Sequence, residues 1–259
     1  MIRSNPLHNR LFITFLLLFA TVSGCKKDSE KALLDPSTCL VKKEVYKNEH
    51  GSILATVSYE YDDQRRITIR MVEPASGLAW TYKYQYSTSQ IIEAVYDNEG
   101  VMKYQVTYHL NEKDLAVTSS QSSRSVMENS QYEYDADGYM IKNTFFSEGT
   151  TVYASWSWEI TDGNITSHTS HQPHSGLGGT ETYTYFTDKT NSAGNNNTGM
   201  MFFGKSSRNL VRSSTFTSDA SSGSATYSYQ FDSHQRVTRV TIQGSTLSSS
   251  AREISYEYY

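Results

Sequence analysis

Aromatic residues two positions apart recur along this chain at Tyr59/Tyr61, Tyr82/Tyr84, Tyr132/Tyr134, Trp156/Trp158, Tyr183/Tyr185, Tyr227/Tyr229 and Tyr256/Tyr258, with Tyr104 and Tyr108 as a wider-spaced version. Successive side chains of a β-strand point to opposite faces, so each pair sets two rings on one face. Beside the rings stand Glu60, Lys83, Gln85, Glu133, Ser157, Thr184, Ser228 and Glu257. The opposite face is therefore wet, as in an antiparallel sheet with one solvated side. The pairs begin about 22–29 residues apart, with one gap about twice as long, which is the signature of a repeated supersecondary unit. The clearest copy runs from Tyr132 to Thr144: a Tyr-x-Tyr strand, a turn at Asp137-Gly138, and a second strand in which Tyr139, Ile141 and Asn143 alternate.

Each period holds two runs of strand length. Ile53 to Tyr61 and Ile67 to Val72 flank Asp62 to Arg65, and further turns fall at Pro74 to Gly77, Asp97 to Gly100, Asp162 to Asn164 and Ser221 to Gly223. After residue 40 no apolar residues recur at helical spacing over a usable length, so no helix is expected to cover the aromatic face. Twenty tyrosines against four prolines fit pleated, half-buried surfaces. The expected fold is all-β: an antiparallel meander of repeated hairpins, about 14–16 strands, forming a curled or partly closed sheet.

The N-terminus carries Arg3 and Arg10, an apolar run from Leu11 to Ala20, and Val22-Ser-Gly-Cys25. This pattern resembles a bacterial lipoprotein signal, and the run falls short of the roughly 20 residues that span a bilayer. The expected organisation is a signal peptide over 1–24, a lipidated tether over 25–38 acylated at Cys25, and a single β-repeat domain over 39–259. A tether of that length spans on the order of 20 Å. Lys26 follows the cysteine where an inner-membrane retention signal has Asp, which places the protein at the bacterial outer membrane, on either face. The formal charge of −4 falls by two more with the loss of Arg3 and Arg10, so the chain has no basic footprint for nucleic acid. With Cys25 acylated, Cys39 is the remaining thiol and a disulfide framework is not expected.

Tyr-x-Tyr-Asp followed by a turn, as in Tyr59 to Arg66 and Tyr132 to Tyr139, is similar to the YD repeats of Rhs-type proteins. Tyr183 to Asn191, Phe203 to Val211 and Tyr227 to Val237 resemble the C-terminal pattern of a family of Bacteroidota YD-repeat lipoproteins. Ser192 and Gln235 depart from it, standing where that pattern has proline and glycine. The resemblance implies a β-sheet lipoprotein domain and carries over no catalytic residue.

Four features invite a chemical reading. Gly199 to Ser206 has the letters of a phosphate-binding loop, but it lacks the preceding buried strand and following helix that such a loop needs, so no nucleotide is expected. Its Met and Phe side chains read instead as packing on the sheet. His168, His171 and His174 are spaced three apart in a segment rich in glycine, which reads as a solvated loop rather than a metal site. Asp135-Ala-Asp-Gly138 lacks the distal glutamate of a calcium loop and reads as a hairpin turn. Trp156 and Trp158 are the candidate ligand-stacking residues, set against the commoner role of such pairs as sheet core.

No nucleophile–base or zinc-protease pattern is present, and neither a cofactor nor a metal is implied. Three classes follow. A non-enzymatic binding or structural module of the envelope, partnered by its lipid anchor and by a glycan or envelope protein, leads. A glycan-active hydrolase would require carboxylates converging in one cleft. A transmembrane barrel would have to present a lipid-facing band made mostly of tyrosine.

Overall fold

The computed structural model describes residues 39–123, 127–147, 151–173, 176–219, 221–244 and 252–259. Cys25, the signal and tether segments and His174 lie outside these residues. The described residues form sixteen strands: β1 (Val41–Lys47), β2 (Ile53–Tyr61), β3 (Ile67–Pro74), β4 (Trp80–Tyr86), β5 (Gln90–Asp97), β6 (Met102–Leu110), β7 (Ala116–Ser123), β8 (Met127–Tyr134), β9 (Met140–Ser147), β10 (Thr151–Thr161), β11 (Asn164–Gln172), β12 (Leu177–Thr190), β13 (Asn209–Thr217), β14 (Ser222–Phe231), β15 (Val237–Gly244) and β16 (Glu253–Tyr258). Every strand pairs antiparallel with its sequence neighbours, and β1 pairs with β16.

The meander therefore closes completely into a barrel, where the sequence suggested a curled or partly closed sheet. Closure is carried by the register Glu44↔Tyr256, Val45↔Ser255 and Tyr46↔Ile254, with a Lys47 Nζ to Glu253 Oε1 ion pair of 2.8 Å at its far end. Sequence periodicity is local and does not report whether the first and last strands meet. Once they do, no sheet edge is left with unpaired backbone groups.

The tight turns follow one design. An Asp or Asn closes the incoming strand and accepts backbone N–H groups from the turn: Asp62 Oδ1 takes those of Gln64 and Arg66, Asn111 those of Lys113 and Leu115, and Asp232 those of His234 and Arg236. The fourth residue adopts a left-handed conformation, with φ of +65° at Arg65, +59° at Asp114, +88° at Gly138 and +61° at Gln235. Each is a short turn ending in a bulge, and the strand register shifts beside it. Gln235 thus adopts the left-handed geometry that glycine would have reached without strain.

The hairpins joining even strands to the following odd strands all turn at one end, where the chain also enters at Cys39 and leaves at Tyr259. Residues 191–208, between β12 and β13, fold across this end as a plug. The plug is tied to many strands at once. Asn197 O accepts the Val41 N–H at 2.7 Å, Gly138 O accepts the Lys205 N–H at 2.9 Å, and Gly163 O accepts the Arg208 N–H at 2.8 Å. Ser192, fully buried, accepts the Val237 N–H on its Oγ at 2.9 Å. A 3-10 helix, Met201–Phe203, sits inside the plug and drives Phe202 among Tyr84 and Tyr108 and Phe203 against Tyr108 and Tyr132.

The letters of the phosphate-binding loop lie in this plug. No helix starts at Lys205, and its two glycines are there for close approach. A Cβ on Gly199 would stand 2.7 Å from Ile67 N, and one on Gly204 2.5 Å from Gly138 O. Gly204 also sits at φ +82°. Gly204→Ala is therefore expected to cost about 1–3 kcal/mol from backbone strain alone, with the clash added. A melting temperature equal to wild type in a thermal unfolding scan would contradict this packing.

Candidate functional site

Tyrosines of the paired motifs point inward. Tyr59, Tyr84 and Tyr108 are buried in the main core with Val41, Ile67, Ile91 and Phe202, while Tyr227, Tyr229 and Tyr256 border a second core around Leu210, Val237 and Val240. Glu60, Lys83, Gln85, Glu133, Ser157, Thr184, Ser228 and Glu257 are all exposed. Sixteen strands enclose more space than side chains fill, as in barrels that leave a channel. Between the two cores lies a cavity of about 690 Å³, floored by the plug residues Met200 and Phe203 and walled by Glu44, Tyr46, Tyr59, Arg70, Trp158, Tyr227, Tyr229 and Tyr256.

Charged groups stand on the inner face of this apolar and phenolic interior. Register places Arg70 of β3 between Tyr59 of β2 and Tyr82 of β4, and Glu93 of β5 beside Tyr84. Glu44 is only 6% exposed and accepts the Tyr46 hydroxyl at 2.5 Å. Burial pushes its pKa up, against the opposing pull of the Tyr46 and Tyr59 hydroxyls and Arg70. Glu93 behaves alike: burial raises it, while the Tyr84 hydroxyl, Arg70 and the Tyr108 hydroxyl pull back. Burial works against the Arg70 charge, but Tyr84, Glu93, Tyr82 and Tyr59 outweigh it and hold its pKa above the usual value. The Arg70 guanidinium packs 4.0 Å over the Tyr82 ring, and its buried Nε has no hydrogen-bond partner among the described residues.

On the opposite wall Trp156 and Trp158 of β10 meet His168 of β11 and Phe145 of β9. His168 stacks on Trp158 at 5.3 Å, and Phe145 meets Trp156 edge-on at 4.7 Å. Trp158 lines the cavity, whereas Trp156 is 41% exposed toward the unplugged end. His168 and His171 lie on strand β11, paired to β10 and β12, rather than in a solvated loop. His168 turns inward, and burial lowers its pKa despite the proximity of Glu181. His171 pairs opposite Ser155 and Gly178 on the outer side, so alternation along one strand separates the two. Among the described residues no cluster of three or more His, Cys, Asp or Glu is placed to hold a metal ion. Asp135 accepts the Tyr139 N–H at 2.9 Å within a hairpin turn. Cys39 is buried at the plugged end, where its carbonyl accepts the Asn197 side chain at 2.7 Å.

Sequence reading passed over Glu44, Arg70 and Glu93. Their signal was a charge inside an otherwise apolar strand, as in Ile67 to Val72 around Arg70 and Ile91 to Val95 around Glu93. The unplugged rim carries a further feature, since the exposed large apolar residues Ile53, Leu78, Val101, Met102 and Leu177 all stand at hairpins of that end.

Residues 47–239 match a domain family described as a domain of unknown function, DUF4595, with porin-like fold. Two solved structures share the architecture. A porin-like protein from Bacteroides uniformis ATCC 8492 aligns at TM-score 0.61 and 16% identity, over 87% of this chain and 100% of its own. A second, from Bacteroides vulgatus ATCC 8482, aligns at 0.58 and 11% identity, over 85% and 99%. No curated protein matches the chain. These matches replace the YD-repeat resemblance: the Tyr-x-Tyr-Asp rhythm belongs to the hairpin turns of a porin-like barrel, and a turn design does not identify a family.

Two predictions test this interior. Phe202→Ala, at a site 4% exposed, is expected to cost about 3–5 kcal/mol, whereas Trp156→Ala is expected to cost less than about 1.5 kcal/mol; chemical unfolding of both variants checks the ranking. Glu93, raised in the folded state, contributes stability that is fully present below its ordinary pKa of 4.5 and is lost as pH rises through the folded value. Glu93→Gln removes that dependence. Its melting temperature relative to wild type should climb as pH rises above the ordinary value of 4.5, and a difference that stays constant with pH would refute the assignment.

Proposed function

This chain belongs to the DUF4595 family with porin-like fold, and on that premise we propose that it is a non-enzymatic, lipid-anchored module of the bacterial outer membrane that binds a small ligand in its barrel. The observation that carries the proposal is the cavity of about 690 Å³ with inward tyrosines, Arg70 and Glu44 in its wall. That volume lies in the range of small-molecule sites, which pair apolar walls with a few placed polar groups. The plug blocks one end, so a ligand enters past Trp156 at the other.

The outer face supports a barrel standing in water. Membrane barrels present an apolar band about 25 Å tall to lipid. Here the outward positions include Ser58 and Glu60 on β2, Thr81, Lys83 and Gln85 on β4, Gln105 and Thr107 on β6, and Thr182 and Thr184 on β12, with Ile69 and Met71 on β3 and Ile92 and Tyr96 on β5 interspersed among them. The Ser, Thr and charged positions among them suit a solvated sheet face. Membrane attachment falls to acylated Cys25 in this reading. Among the described residues Glu44 is the sole carboxylate lining the cavity. That favours binding over glycan hydrolysis, which uses two carboxylates flanking one bond.

Cys25→Ala is expected to release the protein from the membrane fraction into the periplasm or medium. Fractionation of cells carrying either form reads this, and wild-type levels of the variant in the membrane would remove the anchor from the proposal.

A further inference from the structure

We propose that the cavity wall around Arg70 is a binding site for a small organic monoanion of the sugar-acid class, whose carboxylate is received by the Arg70 guanidinium. The inference rests on the lumen-binding reading above and names its ligand. Arg70 lines the cavity, and the Tyr82 ring fixes its guanidinium plane at 4.0 Å. Among the described residues no carboxylate comes within ion-pairing distance of it, and its buried Nε has no protein acceptor. A buried donor without an acceptor is costly unless a partner supplies one. A planar guanidinium is matched by a carboxylate or a phosphate, which take two parallel N–H bonds.

Three features select among such anions. Glu44 and Glu93 both act on Arg70 without contacting it, so a doubly charged phosphate ester meets more repulsion there than a single carboxylate. Phenolic rings and hydroxyls, with Tyr59 beside Arg70 and Trp158 on the facing wall, suit a polyhydroxylated ring that stacks its C–H face and exchanges hydrogen bonds at its rim. Glu44, lining the same cavity, supplies an acceptor for a ligand hydroxyl.

The test titrates the intact, detergent-solubilised protein with D-glucuronate, D-galacturonate, D-glucose and D-galactose, following tryptophan fluorescence and heat of binding. The acids should bind and the neutral sugars bind more weakly by about ten- to a hundredfold, the worth of a hydrogen-bonded charge pair. Arg70→Met should erase that preference, with a lower melting temperature because Glu44, Glu93 and the Tyr82 ring lose the charge that acts on them. Arg70→Lys, which keeps the charge but loses the planar fork, should restore part of it and stands in if the Met variant does not fold. Equal binding of acids and neutral sugars, or an acid preference that survives in both variants, overturns the sugar-acid site and leaves the lumen-binding reading intact. No binding of any of the four, with unchanged fluorescence, overturns the site; if a wider screen of small polar ligands is equally silent, the lumen-binding reading falls as well.

Discussion

A ring of sixteen strands is too wide for its own side chains to fill, and the rest of this structure follows from that geometric fact. Eight strands would have packed their inward tyrosines against one another. At sixteen, rings on opposite walls cannot meet, and an aromatic face left in contact with water would forfeit the burial that stabilises it. The chain meets the problem with residues 191–208, which bring Met200, Phe202 and Phe203 into one end of the lumen. Phe202 and Phe203 give the tyrosines of β4, β6 and β8 a partner across the ring. The plug's own backbone is satisfied by turns and strands around the whole circumference, so no single hairpin holds it.

The architecture is shared with two porin-like structures from Bacteroides at the level of backbone topology. Strand count and closure are set by backbone pairing, which is indifferent to what the side chains carry. Which solvent the wall tolerates is set by alternation. Here the tyrosines of the paired motifs occupy inward positions, and Glu60, Lys83, Glu133, Thr184, Ser228 and Glu257 between them outward ones. A fold likeness at 16% identity therefore speaks to backbone topology, and the outward side chains speak to environment.

Inside, the balance around Arg70 is between desolvation and phenolic hydrogen bonds. Burial raises both Glu44 and Glu93, while the hydroxyls of Tyr46, Tyr59, Tyr84 and Tyr108 work in the opposite direction. Tyrosine suits this role because one face of the residue packs as a hydrophobe while its hydroxyl reaches a polar partner. The same residue type thus builds the core and holds the charges within it. On the far wall, Trp158 and His168 make a mixed surface of the same kind, with Trp156 open to solvent.

Period-two alternation of tyrosines with Glu, Lys, Ser and Thr determined by itself that the chain is all-β, antiparallel and two-faced, because side-chain direction in a strand depends only on residue parity. The Asp and Asn turns were equally legible, since Asp62, Asp97, Asp135 and Asp232 act through backbone groups a few residues away. Closure was not, because the β1 to β16 pairing joins residues some two hundred positions apart and leaves no local mark. His168 and His171 read as a loop because their neighbours include glycine and proline, yet strand pairing on both sides overrode those breakers. Nor could sequence say that Glu44, Arg70 and Glu93 share one interior. Each is a lone charge in its own strand, and only the register across β1 to β5 brings them to one stretch of inner wall, where Glu44 and Arg70 line the cavity.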